Sequence, residues 1–350
     1  MPHADQPAPA KAFISGCAGT ELSDEERAFF SEERPFALIL FARNCQTPSQ
    51  IRALIDEFRA IVGRNDAPVL IDQEGGRVQR LKPPLWPAYP PGRPLGIVAE
   101  ENLADGKRAA WLLGRLIAVD LHELGITVDC LPVLDVAAPG MTDAIGDRSY
   151  SSDPEIVAAL GGAVAEGLME GGVLPVVKHI PGHGRAASDS HYDLPVVSAD
   201  LDVLAETDFV PFSRLAHLPI GMTSHILYTS VDRERPSTLS KAIIRDIIRK
   251  RIGFDGLLMG DDISMKALSG DFTDLARATY DAGCDLVLHC NARIEEMRSV
   301  ALAAPPLAGL SGERAARALS MLRQPAPFDR VTGQEELHAL AARGGWPRVS

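Results

Sequence analysis

Short apolar runs alternate with longer amphipathic segments along almost the whole chain, and this alternation limits the folds that are open to it. The apolar runs have the length and composition of buried strands, and they lie at residues 12–17, 36–41, 69–72, 127–131, 174–179, 220–225, 256–261 and 284–289. The segments between them have helical periodicity, and the clearest lie at residues 23–32, 48–62, 102–124, 154–170, 240–252 and 275–282. Alternation of strand and helix predicts a parallel sheet with helices packed against it.

Eight strand–helix units close naturally into a barrel, and we therefore predict an α/β fold with a single (β/α)8 barrel of the TIM type. An open, doubly wound sheet is the competing topology. That fold usually carries a G-x-G-x-x-G turn after its first strand, and no such turn follows residues 12–17. The barrel is the better fit to the pattern.

We interpret residues 1–350 as one catalytic barrel domain, with its core at about residues 12–322 and a C-terminal appendage at residues 323–350. A proline-rich stretch at residues 82–94 has the composition of a linker between domains. It fits a loop on the catalytic face equally well, because it lies between the third predicted strand and a long helix. The appendage contains a short predicted helix at residues 335–342.

The acidic balance of the chain argues against whole classes of partner. With 35 Lys and Arg against 47 Asp and Glu, the formal net charge is −12, and no basic run offsets it. Binding to nucleic acid needs clustered cations that displace counterions, so we expect no nucleic-acid partner. We find neither a leader-like N-terminus nor eighteen consecutive apolar residues, so we expect a cytoplasmic protein that does not bind a membrane. The five cysteines are widely spread, which predicts reduced thiols.

Polar residues concentrate where the predicted strands end. Asp72 ends the third strand, and Arg80 follows it. Lys178 and His179 end the fifth strand, and Arg148 precedes it. The carboxyl ends of barrel strands meet at one mouth, so we expect these side chains to converge. Such a ring of charged groups suits a polyhydroxylated ligand, because each hydroxyl must find a partner once water is removed.

Asp261 comes after an apolar run at residues 254–259 and should point inward at the rim of the barrel. A carboxylate at that position can attack an anomeric carbon or stabilise an oxocarbenium ion. The alternative is structural, since an aspartate here could cap a helix that begins near Met265, a role that Asp262 could also take. Position alone leaves both interpretations open.

The segment 178–191 begins Lys-His-Ile-Pro-Gly-His-Gly and ends Asp-Ser-His. Asp189 could orient the imidazole of His191, which could then give a proton to a leaving oxygen and take one from water. A solvated loop histidine beside a turn aspartate is the plainer interpretation of the same residues. The two glycines and the proline of the preceding turn indicate a loop that moves.

His179, His183 and His191 could instead form a metal site. Histidines four residues apart on a helix can bind zinc, but the proline and glycines between them exclude a helix here. Neither H-E-x-x-H nor H-x-H occurs in the segment. We therefore predict no metal ligands, although the histidine cluster keeps a metal-dependent hydrolase among the alternatives.

Five motifs together resemble glycoside hydrolase family 3, and more narrowly its bacterial β-N-acetylglucosaminidases of cell-wall recycling. They are DQEGGRV at residues 72–78, GDRS at 146–149, KHIPGHG at 178–184, DSH at 189–191 and GDDISM at 260–265. The resemblance extends over about residues 13–322. The pairing of the KHIPGHG motif with DSH is specific to that branch of the family.

This resemblance implies a single barrel domain and a retaining, two-step hydrolysis. Asp261 would be the nucleophile that forms a glycosyl-enzyme intermediate. His191, supported by Asp189 on a mobile loop, would be the general acid and base, in place of the usual second carboxylic acid. The residues that would hold the hydroxyls of a terminal N-acetylglucosamine (GlcNAc) are Asp72, Arg80, Arg148, Lys178 and His179.

The leading functional hypothesis is a cytosolic exo-β-N-acetylglucosaminidase that acts on muropeptide-derived GlcNAc-anhydroMurNAc, as a monomer and without a cofactor. Its partner would be a small carbohydrate. Phosphorolysis is a second hypothesis, because an incoming phosphate is repelled less by an imidazole than by a carboxylate. A metal-dependent barrel hydrolase and a sugar-binding protein without turnover are the remaining alternatives.

Overall fold

The computed structural model describes residues 9–347, and its centre is a closed barrel of eight parallel strands. The strands are β1 (Lys11–Ser15), β2 (Pro35–Leu40), β3 (Val69–Ile71), β4 (Val128–Asp129), β5 (Leu174–Ile180), β6 (Ile220–Thr223), β7 (Leu257–Asp262) and β8 (Leu286–His289). Their order around the barrel is their order in the chain, and β8 pairs with β1 to close it. The predicted α/β barrel is confirmed.

Helices connect the strands and cover the outside of the barrel. Their bounds are Asp24–Glu33, Pro48–Val62, Gly92–Glu101, Leu103–Leu124, Pro154–Glu170, Leu201–Glu206, Val210–Arg214, Phe272–Ala282, Ile294–Ala303, Gly309–Leu319 and Arg330–Arg343, with a π-helix at Ile243–Ile252. Ser23 and Glu26 form the capping box of the first helix, and Thr47 and Asp153 each cap a helix that begins with proline. None of the helices in residues 9–347 is long and apolar enough to cross a membrane.

Two predicted boundaries are wrong, and both lie at the carboxyl ends of strands. After β7 the chain makes a turn, and the next helix begins at Phe272 with Asp271 as its cap, so no helix of the described chain begins near Met265. The strand predicted at residues 127–131 is reduced to Val128–Asp129. The residues just beyond it stay hydrogen-bonded to the neighbouring strands, since the backbone N–H of Cys130 donates to Ile71 at 2.8 Å and that of Val176 donates to Leu131 at 2.9 Å, but they do not form a regular strand.

Alternation along the strands sorts their side chains into two cores. One core fills the inside of the barrel, and the other lies between the strands and the helices. The inner core includes Ile39, Leu70, Val176, Met222, Met259 and Leu288. A residue two positions after an inner residue also points inward. Charged residues take that position at the carboxyl ends of three strands, where Asp72 follows β3, Lys178 lies in β5 and Asp261 lies in β7. They therefore stand at the mouth of the barrel.

The other end of the barrel is closed by helix Gly309–Leu319, whose residue Ala318 belongs to the inner core. The C-terminal appendage packs against the side of the barrel through helix Arg330–Arg343, in which Arg330 forms an ion pair with buried Asp120. This helix is longer than the one predicted at residues 335–342, because Asp329 caps it from an earlier start.

The proline-rich stretch 82–94 is a loop of the barrel and not a linker between domains. It leads from a short antiparallel hairpin, formed by Gln73–Gly75 and Val78–Gln79, into helix Gly92–Glu101. The side-chain amide of Gln79 donates to the carbonyl oxygen of Pro87 at 2.6 Å and its carbonyl accepts from the backbone N–H of Tyr89 at 3.0 Å. These bonds hold the loop over the hairpin that approaches the mouth of the barrel.

Candidate active site

A cavity of about 300 Å³ opens at the carboxyl ends of the barrel strands. All the residues that the sequence predicts for the site lie on its wall, namely Asp72, Arg80, Arg148, Lys178, His179, Asp189, His191 and Asp261. Apolar residues of the inner core, including Ile39, Met222 and Leu288, also line it. The structure brings the predicted residues together, while their individual roles stay predictions.

Five charged side chains form one network on the wall of the cavity. Lys178 Nζ lies 2.9 Å from Asp72 Oδ1 and 2.6 Å from Glu74 Oε1. Arg148 donates to both oxygens of Glu74, each at 2.8 Å. Arg80 donates to the other oxygen of Asp72 at 3.0 Å. Two carboxylates thus face three cations, so the network offers a polyhydroxylated ligand both donors and acceptors.

The network is charged at neutral pH. Burial raises the pKa values of the Asp72 and Glu74 carboxyls, but the facing cations lower both overall, and that of Glu74 falls to about 2. Burial acts in the opposite direction on the Lys178 ammonium, whose pKa is nevertheless raised overall by Asp72 and Glu74. The donors and acceptors that the network offers therefore keep fixed charges.

Glu74 is a member of this network that the sequence reasoning did not select, although it lies within the DQEGGRV motif. A tight hairpin carries Glu74 and Arg80 to the cavity, and Gln73 Oε1 accepts from the backbone N–H of Arg80 at 2.9 Å. At Gly75 the backbone has φ of +102°, and a Cβ would lie 2.2 Å from the carbonyl oxygen of Pro90. Only glycine fits there, which explains a glycine directly after Glu74.

Replacement of Glu74 by alanine is expected to lower the free energy of unfolding by about 3 kcal/mol, because it leaves Lys178 and Arg148 buried without one of their carboxylates. Chemical denaturation followed by circular dichroism measures the change. Glu155→Ala is a matched control, since Glu155 pairs with Arg214 at 2.7 Å in solvent and a much smaller loss is expected. Equal losses in the two variants would show that the buried network contributes no more to stability than an exposed ion pair.

A buried aspartate in the loop after β4 holds two histidines. Asp135 Oδ2 accepts from Nδ1–H of His179 at 2.7 Å, and Asp135 Oδ1 accepts from the backbone N–H of His183 at 2.7 Å. Burial raises the pKa of Asp135, but the two imidazoles lower it overall to about 2, so the carboxylate is charged. Sequence reasoning missed Asp135 because it is 44 residues from His179, and its only signal is its place beyond a predicted strand.

The histidines of the loop after β5 are bound to different protein partners and not to one another. His183 is buried, which lowers its pKa to about 4, and its Nε2 lies 3.3 Å from Ser190 Oγ. His191 binds Asp189 through Nδ1. Across residues 9–347, no group of three or more His, Cys, Asp or Glu side chains is placed to hold a metal ion.

The base of this loop is held by close contacts. A Cβ at Gly184 would lie 1.7 Å from the carbonyl oxygen of Val136, so the loop passes directly against the chain that comes after β4. Arg185 Nε donates to Asp208 Oδ2 at 2.6 Å, and the carboxylate of Asp208 is buried. The segment that carries His191 begins just beyond this anchor.

Asp189 and His191 form a hydrogen-bonded pair farther along the loop. Asp189 Oδ1 accepts from the backbone N–H of His191 at 2.9 Å and from its ring Nδ1–H at 2.8 Å. Burial raises the pKa of Asp189, but these hydrogen bonds and the imidazole lower it overall. Because Asp189 occupies Nδ1, proton exchange with a ligand falls to Nε2. The His191 side chain lines the cavity and is 65 % exposed.

Asp261 is the penultimate residue of strand β7, and it lines the cavity. Its Oδ1 accepts from the backbone N–H of Asp262 at 2.8 Å, and within residues 9–347 its Oδ2 has no hydrogen-bond partner. Burial raises the pKa of Asp261, but the imidazoles of His225 and His179 and this backbone hydrogen bond lower it overall. The result is an ionised carboxylate with one oxygen free to react.

Asp262 takes the structural role that the sequence left open for Asp261. Asp262 Oδ1 accepts from the backbone N–H of Ser264 at 3.0 Å and from that of Cys290 at 3.2 Å. Its Oδ2 accepts from the hydroxyl of Ser264 at 2.6 Å. Asp262 therefore caps a turn and ties it to the end of β8, so that Asp261 has no capping role.

A cluster of buried charges, an ionised carboxylate and a separate Asp–His pair at the mouth of one (β/α)8 barrel are an arrangement typical of glycoside hydrolases. Comparison with known families agrees. Residues 13–310 match the model described as the glycosyl hydrolase family 3 N terminal domain, and the chain belongs to glycosyl hydrolase family 3. The protein is therefore a glycosidase.

Several relatives of the chain have names or structures of their own. A β-hexosaminidase of Methylococcus capsulatus is 39% identical over 277 residues, which are 78% of this chain and 80% of the relative. A β-hexosaminidase of Thiobacillus denitrificans is 39% identical over 280 residues, 78% and 76% of the two chains. The crystal structure of NagZ from Neisseria gonorrhoeae in complex with N-trifluoroacetyl-D-glucosamine is 29% identical, with a TM-score of 0.84 over 97% of this chain and 100% of that chain.

Proposed function

We propose that the protein is a retaining exo-β-N-acetylglucosaminidase that removes terminal β-linked GlcNAc from peptidoglycan-derived muropeptides. The observation that carries the proposal is that Asp261 and the Asp189–His191 pair line the same cavity. The β-hexosaminidase names of the relatives, and the amino sugar bound by gonococcal NagZ, support an N-acetylhexosamine as the sugar. We assign the activity to a cytoplasmic monomer that needs no cofactor.

In the first step, the free Oδ2 of Asp261 attacks the anomeric carbon and forms the ester bond of a glycosyl-enzyme. The bond from that carbon to the aglycone oxygen breaks at the same time. His191 gives the proton on Nε2 to this oxygen, so the aglycone leaves as a neutral alcohol. Asp189 accepts a hydrogen bond from Nδ1–H of His191 and so keeps the ring in one orientation during the transfer.

In the second step, the neutral imidazole of His191 takes a proton at Nε2 from a water molecule that attacks the anomeric carbon. The ester bond breaks, and the carboxylate of Asp261 is restored together with the imidazolium of His191. Two inversions at one carbon give a product with the configuration of the substrate. The role of the charged network is to hold the sugar hydroxyls through both steps, by contacts to Asp72, Arg80, Arg148, Lys178 and His179.

The first product of 4-nitrophenyl β-N-acetylglucosaminide hydrolysis is expected to be the β-anomer of GlcNAc, because a covalent intermediate requires retention. Proton NMR spectra recorded in the first minutes, before mutarotation, identify the anomer. A variant that keeps the fold but lacks Asp261 serves as the control for spontaneous hydrolysis. Initial release of the α-anomer would rule out the glycosyl-aspartate.

The same assay in phosphate buffer separates hydrolysis from phosphorolysis. Phosphorolysis stays a candidate because His191, unlike a carboxylate, does not repel an incoming phosphate. It would yield GlcNAc 1-phosphate, whereas the proposed hydrolase yields free GlcNAc at every phosphate concentration. Phosphorus NMR of the product mixture detects GlcNAc 1-phosphate, which only phosphorolysis forms.

A further inference from the structure

Two exposed side chains meet beside the cavity, one from each loop that carries a proposed catalytic group. Tyr192 is next to His191 in the chain, and the residue is 67 % exposed. Lys266 lies in the turn after β7 and is also exposed, and its Nζ is 5.6 Å from the centroid of the Tyr192 ring. His191, which precedes Tyr192, and Met265, which precedes Lys266, both line the cavity. The pair therefore stands at the rim.

The rim position of the pair is set by the backbone. The backbone N–H of Tyr192 donates to the carbonyl oxygen of Asp189 at 2.9 Å, so the turn that forms the Asp189–His191 pair also places the tyrosine. The backbone N–H of Ala267 donates to the carbonyl oxygen of Ser190 at 3.1 Å, which joins the two loops directly beside Lys266. A ring and an ammonium in this arrangement form one surface across both loops.

In a bound substrate, the aglycone extends out of the cavity on the side of Tyr192 and Lys266. This placement rests on the proposed function. A general acid must lie within hydrogen-bond reach of the oxygen that it protonates. The glycosidic oxygen therefore lies next to His191 Nε2, and the aglycone continues from that oxygen. The cavity of about 300 Å³ is at the small end of ligand sites, so the terminal sugar fills it and the aglycone extends over the rim.

The chemistry of the rim selects the kind of aglycone. Within residues 9–347, Lys266 has no carboxylate within 4.0 Å, so its ammonium is free to pair with a ligand. The exposed ring of Tyr192 offers an apolar face with a polar end, which suits a sugar ring. We propose that Tyr192 and Lys266 form an aglycone subsite that favours a saccharide carrying a carboxylate.

The test uses two disaccharides with the same bond and the same leaving oxygen. One is GlcNAc-β-1,4-GlcNAc, and the other is GlcNAc-β-1,4-linked to N-acetylmuramic acid, which adds a lactyl carboxylate to the second sugar. For Lys266→Gln, we expect kcat/KM to fall about fivefold on the carboxylated substrate and to stay unchanged on the neutral one, the scale of an exposed ion pair. Lys266→Glu is expected to lower the carboxylated rate further, and raised salt to weaken the wild-type preference.

Two further variants complete the design. Tyr192→Ala is expected to lower kcat/KM on both disaccharides by roughly threefold or more, because an aromatic contact does not depend on the carboxylate. Lys250→Gln is the control for charge, since Lys250 pairs with Asp246 in the helix that precedes β7, at the far end of the barrel. We expect it to change neither rate.

The outcomes separate this inference from the proposed function. If the wild-type enzyme cleaves both disaccharides but Lys266→Gln and Lys266→Glu leave the ratio of the two rates unchanged, the subsite is wrong and the glycosidase stands. An equal loss on both substrates in the Lys266 variants would also overturn the subsite, because it would show that the pair only packs the two loops together. If the wild-type enzyme cleaves neither disaccharide, the proposed function fails first.

Discussion

Replacement of Asp261 by alanine is expected to lower kcat for 4-nitrophenyl β-N-acetylglucosaminide by about 10⁴-fold or more, the scale of removing a catalytic nucleophile. The reason is the free Oδ2 of Asp261, which is the atom assigned to attack the anomeric carbon. Steady-state rates of nitrophenol release measure the effect. The fold should survive the change, because within residues 9–347 the carboxylate accepts a single hydrogen bond, from the backbone of Asp262.

Chemical rescue makes this prediction specific to a nucleophile. In the Asp261→Ala variant, added azide can enter the space of the lost carboxylate and attack the anomeric carbon from the same face. We expect azide to restore turnover of the activated aryl substrate and to yield the α-glycosyl azide of GlcNAc. A folded variant that keeps wild-type turnover, or a rescued product of β-configuration, would contradict the assignment of Asp261.

The parts of the site that depend on strand alternation could be predicted from the sequence. Asp72, Lys178 and Asp261 each stand two positions after an apolar residue of the inner core, and a period of two is a local property of the chain. The barrel then brings the ends of its strands to one mouth whatever their separation in sequence. Local pattern and fold class together were enough to group these residues.

Groups that depend on contacts between distant loops could not be predicted in this way. Glu74 points into the network because a hairpin with a positive-φ glycine turns it there, and Asp135 acts through partners 44 and 48 residues away. Neither residue belongs to a barrel strand. Glu74 completes the charged network, and Asp135 orients His179. The site predicted from the sequence therefore lacked two of its carboxylates.

The choice between Asp261 and Asp262 was open for a related reason. Both residues belong to β7, and either could have capped the turn after this strand. The structure separates them because Asp262 reaches the backbone of Cys290 at the end of β8, a contact between strands that are neighbours only in the closed barrel. One carboxylate is thereby used in the fold, and the other lines the cavity.

The position of the loop that carries His191 could not be predicted from the local sequence pattern either. Glycine and proline predict a turn but not where it is held. In the structure, Arg185 is anchored to Asp208, and Ser190 accepts a hydrogen bond from Ala267 in the turn after β7. The loop is thus tied at its base to one side of the barrel and farther along to the turn beside Asp261, which brings its imidazole to the cavity.

Replacement of His191 by alanine is expected to slow poor leaving groups far more than good ones. A saccharide alkoxide needs a proton as it leaves, so kcat/KM for a GlcNAc disaccharide should fall by about 10²- to 10⁴-fold, the range of general acid catalysis. An activated aryl glycoside such as the 2,4-dinitrophenyl compound needs no proton, so its first step should be little affected. A plot of log kcat/KM against leaving-group pKa for a series of aryl substrates is expected to become steeper in the variant.

Hydrolysis of the glycosyl-enzyme provides a second, independent test of the His191→Ala variant. His191 is also the base that activates water, so its loss should leave the glycosyl-enzyme from the activated substrate to break down slowly, and mass spectrometry should detect protein carrying one GlcNAc unit. His217→Ala is the matched control, because His217 is exposed near the start of β6, at the end of the barrel away from the cavity. A His191 variant that slows all leaving groups equally, with no accumulated intermediate, would show that the imidazole binds substrate without transferring a proton.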